Sequence, residues 1–227
     1  GSCGKTSLKD MLSFTLNKYH KTSFSRKSFN NKYGVPLSLF NINQKDKFGV
    51  LEVGMDKKGE IDFLSKIIKP DVGIITNISF AHIKNFKNIF EIARAKGEII
   101  NNIKTNGSII LNADDKFFNF HKKLAQKKKI KVFSFSLRKK NTTVNVKKII
   151  KEKKKFKIIL NVNNLEKYFY IKNDYNSFLY NMLATIALMQ IYINIDKLDK
   201  NIFLNITTTT GRGDISKLRF NNKKIYL

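Results

Sequence analysis

The residues best suited to chemistry stand at the start of the chain, where positions 1–7 have the sequence Gly-Ser-Cys-Gly-Lys-Thr-Ser. In such a loop, backbone N–H groups approach phosphate oxygens, a lysine such as Lys5 reaches the β and γ phosphates, and a hydroxyl such as that of Thr6 ligates Mg²⁺. The other candidate phosphate contacts of the loop are Gly1, Ser2, Gly4 and Ser7. The run therefore predicts a phosphate-binding loop, whose attraction for anions a following helix N-terminus would increase.

A helix is predicted directly after the loop, because apolar side chains recur at spacings of three and four between Leu8 and Tyr19. Upstream, the long form of the motif, G-x-x-x-x-G-K-[ST], would place its first glycine ahead of position 1. We therefore expect the sequence to be a fragment or an excised domain of a longer protein. A surface turn is the alternative interpretation of a Gly-Lys-Thr run, so the rest of the chain must decide between the two.

Strand and helix patterns alternate through the first half of the chain. Short apolar runs predict strands at 48–54, 72–78, 108–111 and 132–135. Helical patterns lie between them, from Gly59 to just before Pro70, from about Ile89, and from Phe117 to about Lys129. The alternation predicts an α/β fold of the P-loop NTPase-like type, with a mainly parallel, doubly wound sheet and helices on both faces.

The pattern changes after Thr142. Shorter strands with tight polar turns are predicted at 144–150, 156–162 and 166–171, which indicates a small antiparallel meander. A long apolar helix is predicted at 176–193 and a shorter one near 198–206. Earlier in the chain, the polar segment 21–31 predicts a loop, followed by a turn at Gly34 and Pro36.

Polar side chains lie where ligands bind in open α/β sheets, at the carboxyl ends of the predicted strands. Glu52 ends one strand, and a buried acid there is a natural metal ligand; His82 follows the next strand. Lys96 has small and apolar neighbours in a predicted helix, which indicates partial burial, the alternative being a side chain that extends to solvent. Asn30 and Asn31 could hold a ligand or belong to a plain polar loop.

Composition limits the class of protein. The 227 residues, 42% of them hydrophobic, suffice for one large globular domain or two small ones. The sequence has no run of about eighteen apolar residues and no signal-peptide pattern, so we expect neither membrane insertion nor secretion. A single cysteine, Cys3, excludes an internal disulfide and is typical of a reducing cytoplasm.

The formal net charge of +27 raises the alternative of a nucleic-acid-binding module. The lysines are scattered, however, and their densest runs, 127–129 and 151–157, fall at a predicted helix end and in a predicted hairpin turn. The sequence carries neither an RNA-binding aromatic signature nor zinc-ligand spacing. We therefore expect no nucleic-acid partner, and we expect the positive charge to favour anionic small substrates.

In their order and spacing, these pieces resemble the central ATP-binding domain of the Mur ligases, the amide-bond-forming enzymes of peptidoglycan synthesis. The resemblance spans nearly the whole chain, 1–227, as one domain. The motifs that carry it are Gly-Ser-Cys-Gly-Lys-Thr (1–6), Phe-Asn-Asn-Lys-Tyr-Gly-Val-Pro-Leu (29–37), Glu-Val-Gly-Met-Asp-Lys-Lys-Gly-Glu-Ile (52–61), Ile-Thr-Asn-Ile (75–78), Ala-His (81–82), Ile-Ala-Arg-Ala-Lys-Gly-Glu-Ile (92–99), Leu-Asn-Ala-Asp-Asp (111–115) and Gly-Arg-Gly (211–213).

The resemblance implies a reaction. The second and third motifs favour the family member that adds D-alanyl-D-alanine to UDP-N-acetylmuramoyl-tripeptide. In that reaction ATP phosphorylates the terminal carboxylate of the tripeptide, and the amine of D-alanyl-D-alanine attacks the acyl phosphate. The resemblance also implies that the N-terminal uridine-nucleotide-binding domain and the C-terminal ligase domain lie outside this sequence, so we expect the chain alone not to ligate.

The resemblance assigns roles to individual residues. Lys5 would hold the β and γ phosphates, Thr6 and Glu52 one Mg²⁺, and His82 a second Mg²⁺. Lys96 matches the position of a carbamylated lysine, which would be an anionic oxygen ligand. Asn181 matches an adenine contact and Arg212 an arginine near the phosphates, while Asn30 and Asn31 would lie beside the sugar nucleotide.

The sequence departs from the family pattern at two places. Tyr175 and Ser177 stand where the family carries Gly-x-His, and the threonines at 207–210 replace a proline-containing segment. The alternatives within the enzyme class are another Mur-type or a folylpolyglutamate-type ligase with a different acceptor. A nucleotide-binding domain that has lost catalysis is a further alternative.

Overall fold

The computed structural model describes residues 1–80 and 85–206, together with the backbone of Lys217–Phe220 and Lys223–Tyr226. His82 and Arg212 lie outside the described residues. The helices are α1 (Lys5–Asn17), α2 (Gly34–Phe40), α3 (Glu60–Ile68), α4 (Ile89–Gly97), α5 (Phe118–Lys127) and α6 (Asn176–Tyr192). The strands are β1 (Thr22–Phe24), β2 (Phe48–Val50), β3 (Val72–Ile75), β4 (Ser108–Asn112), β5 (Lys131–Ser136), β6 (Val144–Glu152), β7 (Lys155–Val162), β8 (Leu165–Ile171), β9 (Lys217–Phe220) and β10 (Lys223–Tyr226).

One six-stranded sheet forms the centre of the molecule, with its strands in the order β3-β4-β5-β6-β7-β8. Strands β3 to β6 are parallel, whereas β6, β7 and β8 are antiparallel. A separate parallel pair joins β1 to β2, and β9 and β10 form an antiparallel pair. The predicted α/β fold, mainly parallel with a meander in the second half, is confirmed, and the meander extends the same sheet.

Helices cover both faces of the parallel part. All five residues of β4 are buried, as expected for a strand covered on both sides. On one face Ile110 belongs to a core built from α1, α6 and strands β4 to β8. On the other face Ile109 and Leu111 pack with Ile100 and Ala125, so α5 covers that side. Successive side chains of β4 thus enter the cores on opposite faces of the sheet, as a doubly wound arrangement requires.

Three local predictions were wrong. The predicted loop 21–31 contains β1, a strand too short to show a period of two. The predicted turn at Gly34 begins α2, because Pro36 lies in its first turn, where a missing N–H costs no helical hydrogen bond. The segment 198–206 forms isolated turns instead of a helix; for example, Ile202 N donates to Asp199 O at 3.1 Å. The buried residues Leu198, Ile202 and Phe203 have the spacing of a helix face, which explains the wrong prediction.

Strand β2 is also shorter and less buried than its sequence predicts. It covers only 48–50, with Phe48 and Val50 half-buried and Gly49 exposed. Glu52 lies just beyond its end and is buried. In the described residues, no helix has both the length and the apolar character needed to span a membrane.

Candidate active site

The loop at 1–4 is held against the residues that follow β3. Ser2 N donates to Asn77 O at 2.9 Å, and Cys3 N donates to the Asn77 side-chain oxygen at 3.0 Å. Ser2 Oγ donates to Ser79 O and accepts from Ser79 N, at 3.0 and 2.9 Å. Thr76 Oγ1 donates to Cys3 O at 3.1 Å. The loop is therefore an integral part of the carboxyl edge of the sheet, which excludes the surface-turn alternative.

The two glycines of the loop serve its geometry. Gly4 has a φ of 76°, in the left-handed region that glycine tolerates, and the chain enters α1 directly after it. A Cβ on Gly1 would lie 1.7 Å from Thr76 Oγ1, so no larger residue fits there without movement of that hydroxyl. No side chain of the described residues caps the N-terminus of α1, and its first turn contains no acid. The backbone N–H groups of the first turn of α1 and the helix dipole are therefore available to an anion.

Four of the predicted site residues line one cavity of about 510 Å³ at the end of this loop. They are Gly1, Lys5, Glu52 and Lys96. Thr6 is buried in the first turn of α1, next to Lys5 in sequence. The cavity continues between β2 and β3, where its lining is mostly apolar. The structure therefore places Lys5, Glu52 and Lys96 on one cavity, as candidates for phosphate binding, metal binding and a modified lysine.

Lys96 is only 4% exposed, so its side chain does not extend to solvent. Its Nζ donates to Gly1 O at 3.2 Å. Burial, followed by the positive charge of Lys5, lowers the pKa of Lys96 to about 8. More of the amine is therefore neutral near physiological pH than in an ordinary lysine, although the ammonium is still the major form. The neutral amine is the form that reacts with an electrophile such as CO₂.

Glu52 is 5% exposed, and its two carboxylate oxygens have different surroundings. Oε1 accepts a hydrogen bond from Asn30 Nδ2 at 2.8 Å. Oε2 is buried and has no hydrogen-bond partner among the described residues. A buried carboxylate oxygen without a partner is costly, and a cation removes that cost.

The donor set fits Mg²⁺. The hydroxyl of Thr6 and the carboxylate of Glu52 are hard oxygen donors, which this ion prefers. Within the described ranges, no group of three or more His, Cys, Asp or Glu residues could form a complete metal cage. Mg²⁺ commonly takes one or two protein ligands and completes its shell with waters and phosphates, so a sparse protein set beside a phosphate loop is suitable.

The three candidate asparagines lie in different surroundings. Asn30 contacts Glu52, as described, while Asn31 Oδ1 accepts from Tyr33 N and Gly34 N at 3.1 and 2.9 Å, at the start of α2. Asn181 is buried on α6, with Oδ1 3.7 Å from the position of a Cβ on Gly4. Asn181 therefore lies beside the phosphate loop. Its predicted role and the substrate roles of Asn30 and Asn31 remain predictions.

Sequence reasoning missed a second buried lysine. Lys9, on α1, is also 4% exposed, and its Nζ donates to Ser25 O at 2.8 Å and Lys27 O at 2.6 Å. Asp10 Oδ1 lies 3.3 Å from the same nitrogen. These contacts hold the segment before Asn30 against α1. The sequence does not predict these contacts, because every residue has a backbone carbonyl and residue type does not show which carbonyls accept.

Other motif residues hold the strand ends together. Asp115 Oδ2 accepts from Ile78 N at 2.7 Å, and Asp114 Oδ1 accepts from Ser136 Oγ at 2.6 Å. Glu98 Oε1 accepts from Gly59 N at 2.9 Å and so binds the N-terminal end of α3. Asp114 and Asp115 therefore help to fix the edge of the sheet on which the site is built, and Glu98 fixes α3.

A fold with a phosphate loop, a buried acid and a buried lysine at one sheet edge defines a nucleotide-binding α/β domain. Residues 1–189 match the family model described as Mur ligase middle domain, so the chain belongs to the Mur ligase family.

One relative in sequence and two solved structures show which members of the family the chain is similar to. The chain is 40% identical over 139 residues to a UDP-N-acetylmuramoyl-tripeptide–D-alanyl-D-alanine ligase of Buchnera aphidicola, covering 61% of this chain and 30% of the relative. It superposes on a crystal structure of MurF from Acinetobacter baumannii with a TM-score of 0.86 and 26% identity, covering 100% of this chain and 48% of that one. A Thermotoga maritima MurF ligase in complex with ADP shares the fold, with a TM-score of 0.83, 23% identity, and coverage of 96% and 49%. The chain therefore spans less than half the length of each of these three proteins.

Proposed function

We propose that this chain is the central ATP-binding part of a cytoplasmic ligase that adds D-alanyl-D-alanine to UDP-N-acetylmuramoyl-tripeptide. The observation that carries the proposal is the meeting of Lys5, Lys96 and the unpartnered oxygen of Glu52 at the phosphate loop. The similarity to ligases of that name supports the choice of reaction. The partners are the uridine-nucleotide-binding and C-terminal domains of the same enzyme; no nucleic-acid partner is proposed.

The residues of this chain would act on the phosphates of ATP. The N–H groups at the start of α1 and the ammonium of Lys5 would hold the β and γ phosphates and neutralise developing charge. Thr6 and Glu52 would hold Mg²⁺, which supplies further charge neutralisation on the phosphate oxygens. The γ-phosphoryl group moves to the substrate carboxylate as ADP leaves; the amine then attacks the carbonyl carbon, loses a proton, and phosphate departs.

The surroundings of Lys96 support the proposal of a carbamate at this residue. Its depressed pKa favours the neutral amine, which can attack CO₂ and lose a proton to give an anionic carbamate. That group would convert a cation beside Lys5 into an oxygen ligand for a second Mg²⁺, with His82 as the predicted companion. The burial of Lys96 supports this proposal, because carbamates persist where water is excluded.

The reaction is tested with the full-length protein, ATP, Mg²⁺, the UDP-linked tripeptide and D-alanyl-D-alanine. We expect a product whose mass equals that of the UDP-linked pentapeptide, and no product from the 227-residue chain alone. Turnover with a different amine only would move the acceptor to a sister ligase. An absence of ATP turnover would reject the catalytic proposal and leave a binding domain.

A further inference from the structure

Asn30 is fixed at both its side chain and its backbone. Its Nδ2 donates to Glu52 Oε1 at 2.8 Å, and its carbonyl accepts from Gly54 N at 2.7 Å. Both partners come from the short segment that follows β2. The amide is therefore held in one orientation, with its donor directed at the carboxylate.

Gly54 provides the space that this orientation needs. A Cβ at position 54 would lie 2.9 Å from both Cγ and Oδ1 of Asn30, and 3.1 Å from Nδ2. These distances are shorter than ordinary van der Waals contact, so any larger residue at 54 would displace the amide. The Asn30 side chain thus lies between Glu52 and Gly54, and both contacts constrain it.

We infer that Asn30 is a positioning residue for the metal ligand Glu52. By donating to Oε1, it fixes the carboxylate so that the buried, unpartnered Oε2 is the oxygen presented to the divalent cation. Groups that orient a ligating carboxylate typically change metal affinity by about 10- to 100-fold when removed. The inference rests on the proposed function and adds a role for Asn30 that differs from the substrate contact predicted from sequence.

The neighbouring asparagine separates this role from a general structural one. Asn31 accepts hydrogen bonds from the backbone at the start of α2 and makes none to Glu52 among the contacts of the described residues. Removing its side chain weakens a helix start without altering the carboxylate. Asn31→Ala is therefore a matched control for changes at Asn30.

The test measures Mn²⁺ binding in the presence of ADP, by isothermal titration calorimetry or electron paramagnetic resonance, on the full-length protein. We expect Asn30→Ala and the similarly sized Asn30→Leu to raise the Kd for Mn²⁺ about tenfold, whereas Asn31→Ala leaves it unchanged. Gly54→Ala should reproduce the defect by displacing the amide. The double variant Asn30→Ala/Gly54→Ala should be no worse than Asn30→Ala, because the two changes act on one contact.

The outcomes distinguish the inference from the function on which it rests. An unchanged Kd for Mn²⁺ in both Asn30 variants, with a raised KM for the UDP-linked tripeptide, would overturn the positioning role in favour of a substrate contact. Additive effects of Asn30→Ala and Gly54→Ala would also overturn it. If the unmodified protein binds ADP but no Mn²⁺, the proposed metal site itself fails. Should Asn30→Ala lose its fold, Asn30→Leu and Gly54→Ala decide the question.

Discussion

Lys9 and Lys96 are equally buried, but their surroundings differ. The Lys9 ammonium has two carbonyl acceptors at 2.6 and 2.8 Å and a carboxylate at 3.3 Å. Among the described residues, the Lys96 nitrogen donates to one carbonyl, at 3.2 Å, and the positive charge of Lys5 contributes to its lowered pKa. The contacts of Lys9 anchor a loop to α1, whereas burial and a like charge nearby lower the pKa of Lys96. Burial alone therefore does not identify a functional lysine.

The largest expected effect is on catalysis. In the full-length enzyme, Lys96→Ala should reduce the ligation rate about 10²- to 10³-fold, because the proposed function places a charged group at this position beside the reacting phosphates. Added bicarbonate or short carboxylic acids should restore part of the rate if the functional form is a carbamate, and steady-state assays with and without these acids measure this. Full activity of the Lys96→Ala enzyme would contradict the proposed catalytic role that distinguishes Lys96 from Lys9.

Lys9→Met should lower the free energy of unfolding of the 227-residue chain by about 2–4 kcal/mol. The substitution removes the ammonium donor from a buried hydrogen bond to the Ser25 carbonyl and from a partly buried one to the Lys27 carbonyl. Urea denaturation measures the change, and Lys123→Met, an exposed change on α5, is the control, expected within about 0.5 kcal/mol of the parent. Equal stability of the Lys9 and Lys123 variants would contradict the anchoring role.

Lys96→Met should have the opposite sign and raise the free energy of unfolding by roughly 1–2 kcal/mol in CO₂-free buffer at pH 7. The methionine removes a cation that is desolvated and lies near Lys5. The same denaturation experiment, run beside Lys9→Met, compares the two sites directly. A loss of stability would show that Lys96 is also an anchor.

His121 gives a smaller, pH-dependent effect. It is buried and its Nε2 lies 2.9 Å from Ala93 O; burial lowers its pKa, although the hydrogen bond to Ala93 partly opposes this. The pKa of His121 in the folded state lies below the unfolded value of about 6.5. The contribution of this residue to the free energy of unfolding is therefore complete above pH 6.5 and is lost as the pH falls toward the folded pKa. Between pH 7.5 and 5.5, the free energy of unfolding should fall more steeply for the parent than for His121→Gln, as denaturation at a series of pH values measures. Parallel curves would indicate that another group titrates.

The repetitive parts of the fold were predictable from sequence, and the contacts that build the site were only partly so. Strands β4 to β8 follow runs of apolar residues or a period of two, and tertiary packing preserves them. The lysines of the run 151–157 lie at the β6–β7 hairpin as predicted, with Lys155 Nζ 3.5 Å from the centre of the Tyr170 ring. β1 and α2 were missed because a three-residue strand has no readable period and because Pro36 signals turns as well as helix starts.

For the site, residue type predicted Lys5, Glu52 and Lys96, since a glycine-rich loop, a buried acid and a lysine among small residues are each unusual. It did not predict that Asn30 contacts Glu52, because that pair is separated by 22 positions. Neither did it predict the carbonyl ligands of Lys9. Interactions that depend on backbone atoms or on the approach of two loops are visible only after the chain is folded.

The hydrogen bonds between the loop at 1–4 and the segment 76–79 have a thermodynamic consequence. Asp115 extends this network by holding Ile78 N from the next strand end. Ordering a backbone residue costs about 1–2 kcal/mol, and hydrogen bonds within the protein itself supply the ordering of this loop. The loop is thus a preorganised receptor, so more of each phosphate contact contributes to net affinity. Variants that preserve the loop should then change nucleotide affinity mainly through the dissociation rate.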